Sequence, residues 1–242
     1  MNTAIYVGLS RQTTLQRALS VVANNIANAS TPGFKLESAM VQEEKATPRG
    51  ADGPISYVLD TGIVRDFGQG ALSTTGAPLD VAIDGDAFFA IQTQAGTRYT
   101  RDGRFTLDAQ NRLVTQDGDP VLGAGGQPIT LNPTAGEPSI NQDGSIRQGA
   151  LTSGRIEVVR FADVSVLSKE GANNFSAPQG AAPTPAPDAR LHQGMVEASN
   201  VNTVLEITNL IEISRAYERV AKMMDQAGDL SNRSIERLGS SR

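Results

Sequence analysis

The chain has 242 residues, a length compatible with one large domain or two small ones. Its 21 basic and 26 acidic residues give a net charge of −5 without a basic stripe, so nucleic acid is not an expected partner. The absence of cysteine excludes disulfides and thiolate sites, and no apolar run is long enough for direct membrane insertion. The N-terminus lacks a basic segment followed by an apolar one, so no cleaved secretory signal is expected.

The first segment, residues 5–28, is predicted to form one helix. Its apolar side chains recur at steps of four, three and four, which is the spacing of a heptad seam. The helix is expected to end near Ala29, because the residue before Pro32 is disfavoured in helical backbone conformation. Phe34 then offers an apolar anchor. The seam consists of Leu15, Leu19, Val22 and Ile26.

Residues 35–76 predict an extended connector. Side chains up to residue 56 are mostly polar or charged, and the stretch is interrupted by Pro48 and Pro54. Two weak strand patterns, at residues 57–59 and 70–74, follow this interruption.

Residues 77–176 predict an antiparallel β domain. Apolar and polar side chains alternate around Val81, and Asp-Gly pairs separate short β-rich runs. Turns roughly every 10 residues are typical of a sandwich, barrel or meander rather than of βαβ units. The predicted strands cover residues 79–83, 87–92, 97–100, 104–107, 112–115 and 156–161.

Residues 177–198 contain four prolines and predict a stiff, extended strap that returns the chain to a second helix. The fold class is thus mixed but mainly β, with a helix at each end. The predicted domains are a helical segment 1–34, a connector 35–76, a β domain 77–176, the strap 177–198, and a helix with a polar tail 199–242.

The second helix is predicted over residues 203–227. Ser199 or Asn200 is expected to cap it, and Thr203 and Glu206 have the spacing of a capping box. Its apolar side chains alternate at steps of three and four through the whole run. This second seam consists of Leu210, Ile213, Tyr217, Val220, Met224 and Ala227.

A helix with one narrow seam needs a partner from elsewhere, because isolated helices gain most of their stability from packing. The partner can be the other end of the same chain, or the same end of the next chain. The spacing favours neither of these over the other. We therefore treat both seams as a candidate assembly interface, with the helices pairing in a coiled-coil-like layer.

The residues that usually carry catalysis or metal binding are missing or isolated. His192 is the only histidine, and a zinc site or a Ser-His-Asp triad would have to depend on it alone. No phosphate-binding glycine motif is present. Surface carboxylates could in principle form a glycosidase pair, but no pattern supports one. No catalytic, cofactor or metal site is predicted, and the chain is not expected to be an enzyme.

Three stretches together resemble the axial rod and hook proteins of the bacterial flagellum. Residues 24–35 are similar to the N-terminal rod signature of that family. Residues 85–89 and 99–105 resemble the central motif shared by the hook and the longer rod proteins. Residues 193–202 and 215–218 resemble the C-terminal signature. The N-terminal signature residues are Asn24, Asn25, Asn28, Thr31, Pro32, Gly33 and Phe34.

The length and residues 220–224 resemble the proximal rod protein more than the distal one, which stays the alternative. The chain departs from the family pattern at Ala87, where a second glycine is usual, and at Asp102-Gly103, a variable position.

The resemblance implies a structural subunit rather than a catalyst. Its terminal helices would line the rod as an inner layer, its β domain would form an outer layer, and its connector would touch neighbouring subunits. Subunits on a helical lattice would build a hollow drive shaft that transmits torque and passes exported subunits. Implied partners are other copies, neighbouring rod proteins and the flagellar export apparatus. The implied location is the basal-body rod in the periplasmic space, reached without a cleaved signal peptide.

Two other classes remain as alternatives. An acidic β binding module on helical stalks would be marked by an exposed aromatic cluster. A hydrolase would be marked by a pocket holding an Asp or Glu with a raised pKa.

Overall fold

The computed structural model describes residues 2–46, 55–171 and 173–239. The expected class is confirmed: antiparallel sheets lie between an N-terminal and a C-terminal helix. Pro48 and Pro54, which were expected to interrupt the connector, lie outside the described residues. The helices are α1 Asn2–Ala27 and α2 Thr203–Gly239, and the strands are β1 Glu37–Ala46, β2 Ile55–Arg65, β3 Leu72–Thr74, β4 Val81–Asp84, β5 Phe88–Thr93, β6 Gly96–Thr100, β7 Thr106–Leu107, β8 Leu113–Val114, β9 Pro138–Ile140, β10 Ser145–Gln148, β11 Leu151–Arg155, β12 Val158–Arg160, β13 Ser168–Glu170, β14 Asn174–Ser176, β15 Thr184–Pro185, β16 Arg190–Gln193 and β17 Met195–Glu197.

The chain forms two compact units. The helical unit comprises the described parts of Met1–Ala27, Glu37–Arg65 and Asn202–Arg242, and therefore contains α1, the β1–β2 hairpin and α2. The β unit comprises Asn28–Leu36 and Asp66–Val201. Each unit is built from segments that are far apart in the sequence.

The C-terminal helix is longer than predicted, whereas the N-terminal helix ends close to the predicted residue. α1 ends at Ala27, close to prediction, and α2 continues to Gly239 although Gly228 lies inside it. A glycine in a helix interior costs only about 1 kcal/mol, which good helix-forming neighbours can offset. The cap of α2 is Asn202, whose side-chain oxygen accepts the N–H groups of Val204 at 3.1 Å and Leu205 at 3.2 Å. The predicted caps were therefore wrong.

The predicted connector contains the two longest strands. β1 and β2 pair antiparallel, with Glu37 opposite Arg65, and a bulge interrupts the register between Met40 and Val41. The weak strand pattern at residues 57–59 lies within β2, whereas β1 was not predicted. The side chains of β1 are mostly polar, so the apolar alternation that signals a strand is absent from it. Side-chain pairs support the hairpin instead: Arg65 donates to Glu37 at 2.9 Å.

The largest sheet of the β unit has six strands in the order β13-β14-β6-β5-β12-β15. Adjacent side chains on β5 point to opposite faces, and both faces are buried. Phe89 belongs to a larger core and packs edge-to-face on Phe105 at 5.0 Å. Phe88 belongs to a second core, with Phe161 at 6.0 Å. The barrel alternative is wrong for the described residues, because this sheet is open at β13 and β15.

The predicted strap is extended, but it also contributes strands. β16 pairs with β4, and β17 pairs with β3, so the end of the strap is held in two small sheets. Leu191 and Val196 are buried there, which supplies apolar burial in a segment otherwise dominated by proline and alanine.

We expect Phe89→Ala to destabilise the protein by about 3–5 kcal/mol, because a fully buried ring leaves a cavity in the larger core. Urea unfolding followed by circular dichroism would measure this change. Leu151→Ala, at a side chain that is 63% exposed, is the matched control and should change stability by less than about 0.5 kcal/mol. Equal effects from the two variants would contradict the core assignment.

Candidate assembly site

The three stretches that carry the family resemblance meet inside the β unit. Residues 28–36, 100–103 and 197–200 belong to this unit and contact one another. The backbone N–H of Gly33 donates to the carbonyl of Glu197 at 2.8 Å. The N–H of Leu36 donates to the side-chain oxygen of Asn200 at 2.8 Å.

A buried carboxylate lies at the centre of this junction. Lys35 Nζ donates to Glu197 Oε1 at 2.6 Å, and Arg101 Nη1 donates to Oε2 at 3.1 Å. The side chains of all three residues are at most 2% exposed. The N–H of Gly70 also donates to Oε1, and Lys35 donates to the carbonyl of Gly68 at 2.8 Å. The three charged side chains are called the signature cluster below.

The two cations of the signature cluster are strongly desolvated. Burial lowers the pKa of Lys35 although Glu197 acts to raise it, and burial likewise lowers the pKa of Arg101. The guanidinium of Arg101 lies 5.1 Å from the ring centroid of Phe88, and its Nε has no hydrogen-bond partner. Glu197 therefore offsets part of the free-energy cost of removing the Lys35 and Arg101 charges from water.

Two glycines allow the segments of the junction to approach closely. A Cβ on Gly33, whose φ is +69°, would lie 2.6 Å from the backbone of Arg101. A Cβ on Gly70 would lie 2.0 Å from the carbonyl oxygen of Ala198. Such distances are incompatible with any side chain, which gives the glycine of the N-terminal signature a physical reason.

The remaining signature residues have separate roles. Thr31 donates to the Asn28 side chain at 3.2 Å in the turn that follows α1, and the Pro32 carbonyl accepts from Asn173 at 3.0 Å. Phe34 is 1% exposed, as expected for an anchor, and the ammonium of Lys169 lies 4.2 Å from its ring centroid.

In the helical unit, Asn25 joins three elements. Its amide exchanges two hydrogen bonds with the backbone of Glu37 on β1, at 2.7 and 3.0 Å. It also donates to the carboxylate of Glu206 on α2 at 2.8 Å. Asn25 is fully buried, so this network is shielded from water. Asn24, its neighbour in the signature, is exposed.

α1 and α2 of the same chain pack on each other. Asn25 contacts the start of α2, whereas Gly8 contacts Met224 near its end, so the helices run antiparallel. Leu15, Val22 and Val220 are buried. The other seam residues are half-buried: Leu19, Ile26, Leu210, Ile213, Tyr217, Met224 and Ala227. Their role between subunits stays a prediction.

The outward faces of the helical unit carry many exposed apolar side chains. On α2, Val204 is 74% exposed and Ile211 is 47% exposed. An exposed apolar surface of this extent is typical of an interaction site. Further exposed apolar side chains of the unit are Tyr6, Leu9, Met40, Val41, Leu59, Val64, Leu205, Ile207, Met223 and Leu230.

The described residues of the β unit give no support to the alternative classes. Their aromatic rings are buried or half-buried, so they form no exposed aromatic cluster. Burial and the neighbouring Asp117 raise the pKa of Asp119, but Asp119 lines neither the depression around Ala186 nor the one around Val22. Across the described residues, no three His, Asp or Glu side chains are grouped to hold a metal. No described helix has the length and apolarity required to cross a membrane.

Each of the three stretches that carry the resemblance overlaps a region that matches a known protein family. Residues 5–35 match the family described as Flagella basal body rod protein. Residues 82–148 match Flagellar hook protein FlgE/F/G D1 domain, and residues 192–237 match Flagellar basal body rod FlgEFG protein C-terminal. With helices at both ends and an antiparallel β region between them, the chain belongs to the rod and hook proteins of the bacterial flagellum and is a structural rod subunit.

Full-length relatives refine this assignment. The Flagellar basal-body rod protein FlgF of Caulobacter vibrioides is 53% identical over 242 residues, covering 99% of both chains. The FlgF of Mesorhizobium japonicum is 41% identical over 245 residues, covering 99% of both chains. The Flagellar basal-body rod protein FlgG of Bacillus subtilis is 33% identical over 252 residues, covering 94% of this chain and 96% of its own. The predicted resemblance to the proximal rod protein is confirmed.

Lys35, Arg101 and Glu197 lie within the three stretches that resemble the family, but their contact was not predicted. Charged residues are usually solvated, so a sequence pattern gives no sign that three of them are buried together. The available signal was their position inside the three most specific stretches of the chain.

We expect Glu197→Gln to destabilise the β unit by about 3–5 kcal/mol, because it leaves two buried cations without a counter-charge. Lys35→Met should cost roughly 1 kcal/mol, because Arg101 and Glu197 still balance each other and only hydrogen bonds are lost. Urea unfolding at pH 7 would measure both. An effect of Lys35→Met as large as that of Glu197→Gln would contradict this account.

The difference in stability between the wild type and Lys35→Met should depend on pH. The pKa of Lys35 is lower when folded than its ordinary value of 10.5, so the unfolded chain binds more protons between the two values. The Lys35 contribution to stability is fully present above 10.5 and is lost as pH falls through the lowered pKa. The free energy of unfolding of the wild type minus that of Lys35→Met, measured in urea, should therefore rise with pH between the lowered pKa and 10.5.

We expect Gly33→Ala to destabilise the protein by more than Gly76→Ala. Both glycines have positive φ, +69° and +75°, but a Cβ at Gly76 meets no atom within 4 Å. The strain of positive φ, about 1–2 kcal/mol, is common to both variants, so the difference in urea unfolding measures the clash with Arg101. Equal losses would show that the close approach is unimportant.

Proposed function

We propose that this chain is a subunit of the proximal rod, and that it assembles on a helical lattice into the hollow shaft that transmits torque and passes exported subunits. The observation that carries the proposal is 53% identity over the whole chain to a flagellar basal-body rod protein. A role in a distal rod is the alternative. The two FlgF relatives, at 53% and 41% identity, are more similar to this chain than the FlgG relative at 33%.

The surface of the helical unit supports assembly. A row of exposed apolar side chains follows one side of α2, at Val204, Ile207 and Ile211. On α1, Tyr6 and Leu9 are 61% and 50% exposed. Burial of each such side chain between subunits contributes roughly 1.5–3 kcal/mol before ordering costs. We propose that these faces, rather than the seams alone, contact neighbouring subunits.

The seams have a preparatory role in this proposal. Leu15, Leu19, Val22, Ile26 and their counterparts on α2 hold the two helices of one chain together in a coiled-coil-like pair. The pair then presents the outward faces. The helical unit would form the inner layer and the β unit the outer layer, while the β1–β2 hairpin would contact neighbouring rod proteins. Delivery by the flagellar export apparatus into the periplasmic space completes the proposal.

The test is to delete the gene and to image purified basal bodies by electron microscopy. We expect a truncated rod without a hook, and the height of the truncation separates a proximal from a distal position. Intact rods, hooks and filaments in the deletion strain would refute the proposal.

Complementation adds a test of the surface. Wild-type protein should restore rods, whereas Ile207→Asp combined with Ile211→Asp should not, because two charges are buried in the contact. The matched control is Leu151→Asp, at an exposed apolar position of the β unit, which should restore rods.

A further inference from the structure

The helical unit contains an open depression of about 210 Å³ between α1, β1 and α2. Val21, Val22 and Ile213 contribute apolar lining, and Glu206 and Glu212 contribute carboxylates. The depression is therefore apolar in its walls and negative in its charge.

The two α2 carboxylates in this depression have no cation beside them. Glu206 is 6% exposed and accepts only the amide groups of Asn25 and Asn209, at 2.8 and 2.9 Å. Glu212 is exposed. Within the described ranges neither has a basic nitrogen within 4.0 Å, unlike Glu37 in the same depression, which pairs with Arg65. A cation brought here would meet an uncompensated negative field.

A complementary surface lies farther along the same helix. Arg215, Arg219 and Lys222 are spaced at i, i+4 and i+7, so they form one stripe, and all three are exposed. No ion pair involves them among the residues that the structure describes. With Glu218, the stretch 215–222 carries a net charge of 3 − 1 = +2.

The stripe pairs with neither carboxylate of its own chain among the described residues. Glu206 and Arg215 are nine residues apart, and at about 100° per residue they face opposite sides of α2. Glu212 lies on the same side as Arg215, three residues before it, yet no ion pair joins them. The depression is therefore open to a cation from another molecule.

We propose that the basic stripe of one copy docks into the acidic depression of the next copy. This inference rests on the proposed function and specifies its contact. The centres of the two surfaces lie about ten residues apart on α2, so successive copies would be offset by roughly 15 Å along that helix. The two surfaces differ, so the contact is heterologous and continues from copy to copy without closing.

The test uses two full-length variants in the deletion strain. The first, Glu212→Arg, reverses an exposed carboxylate of the depression. The second, Arg215→Glu with Arg219→Glu, reverses the stripe. Each alone should lower the number of complete rods at least about tenfold. In the first variant the stripe meets an arginine in the depression, and in the second the carboxylates of the depression meet an acidic stripe.

Co-expression of the two variants gives the decisive result. Each variant keeps one native surface, so in an alternating assembly every contact again joins opposite charges. We expect complete rods to return to within about twofold of wild type, an outcome that an effect within one chain cannot produce. No recovery on co-expression, or normal rods from either variant alone, would overturn the inference.

Two controls keep this result distinct from misfolding and from failure of the proposed function. Purified variants should unfold in urea with free energies within about 0.5 kcal/mol of wild type. Arg147→Glu, at an exposed position of the β unit, should give normal rods. Intact rods in the strain lacking the gene would refute the proposed function itself, whatever the charge variants do.

Discussion

The β unit depends on one buried carboxylate. Glu197 pairs with both Lys35 and Arg101, and each of these three charges belongs to a different part of the sequence. Because a buried charge without a partner is far more costly than a buried pair, loss of Glu197 affects all three segments, whereas loss of Lys35 leaves Arg101 and Glu197 paired. The contact thus makes a discontinuous unit cooperative, although its central β region contains most of the apolar core.

In the helical unit, a neutral side chain joins segments that are far apart in the sequence. Asn25 satisfies both backbone groups of Glu37 and still donates to Glu206, so one amide joins α1, β1 and α2. Polar contacts of this kind specify register, which an apolar seam at heptad spacing leaves open because it could slide by one repeat. Apolar packing therefore supplies the attraction between the helices, and Asn25 determines their alignment.

The sequence predicted the two helices, the antiparallel β region and the family, because each depends on local periodicity or on a specific motif. It did not predict the β1–β2 hairpin, since polar strands such as Glu37–Ala46 lack apolar alternation. It also placed the cap at Ser199 or Asn200, whereas Asn202 serves that role and Asn200 binds the backbone of Leu36. The cap was missed because a polar side chain can act locally or, as Asn200 does, across 164 residues, and a sequence pattern does not distinguish the two.

The two edge strands of the six-stranded sheet are poor sites for pairing with a strand of another molecule. One edge is β15, a strand of two residues whose Pro185 has no N–H to offer to an added strand. The other is β13, three residues long, where Lys169 and Glu170 place charges on the rim. A molecule made to polymerise must avoid the amyloid-like stacking that open sheets permit. With both rims blocked, addition of a strand from another copy to this sheet is disfavoured.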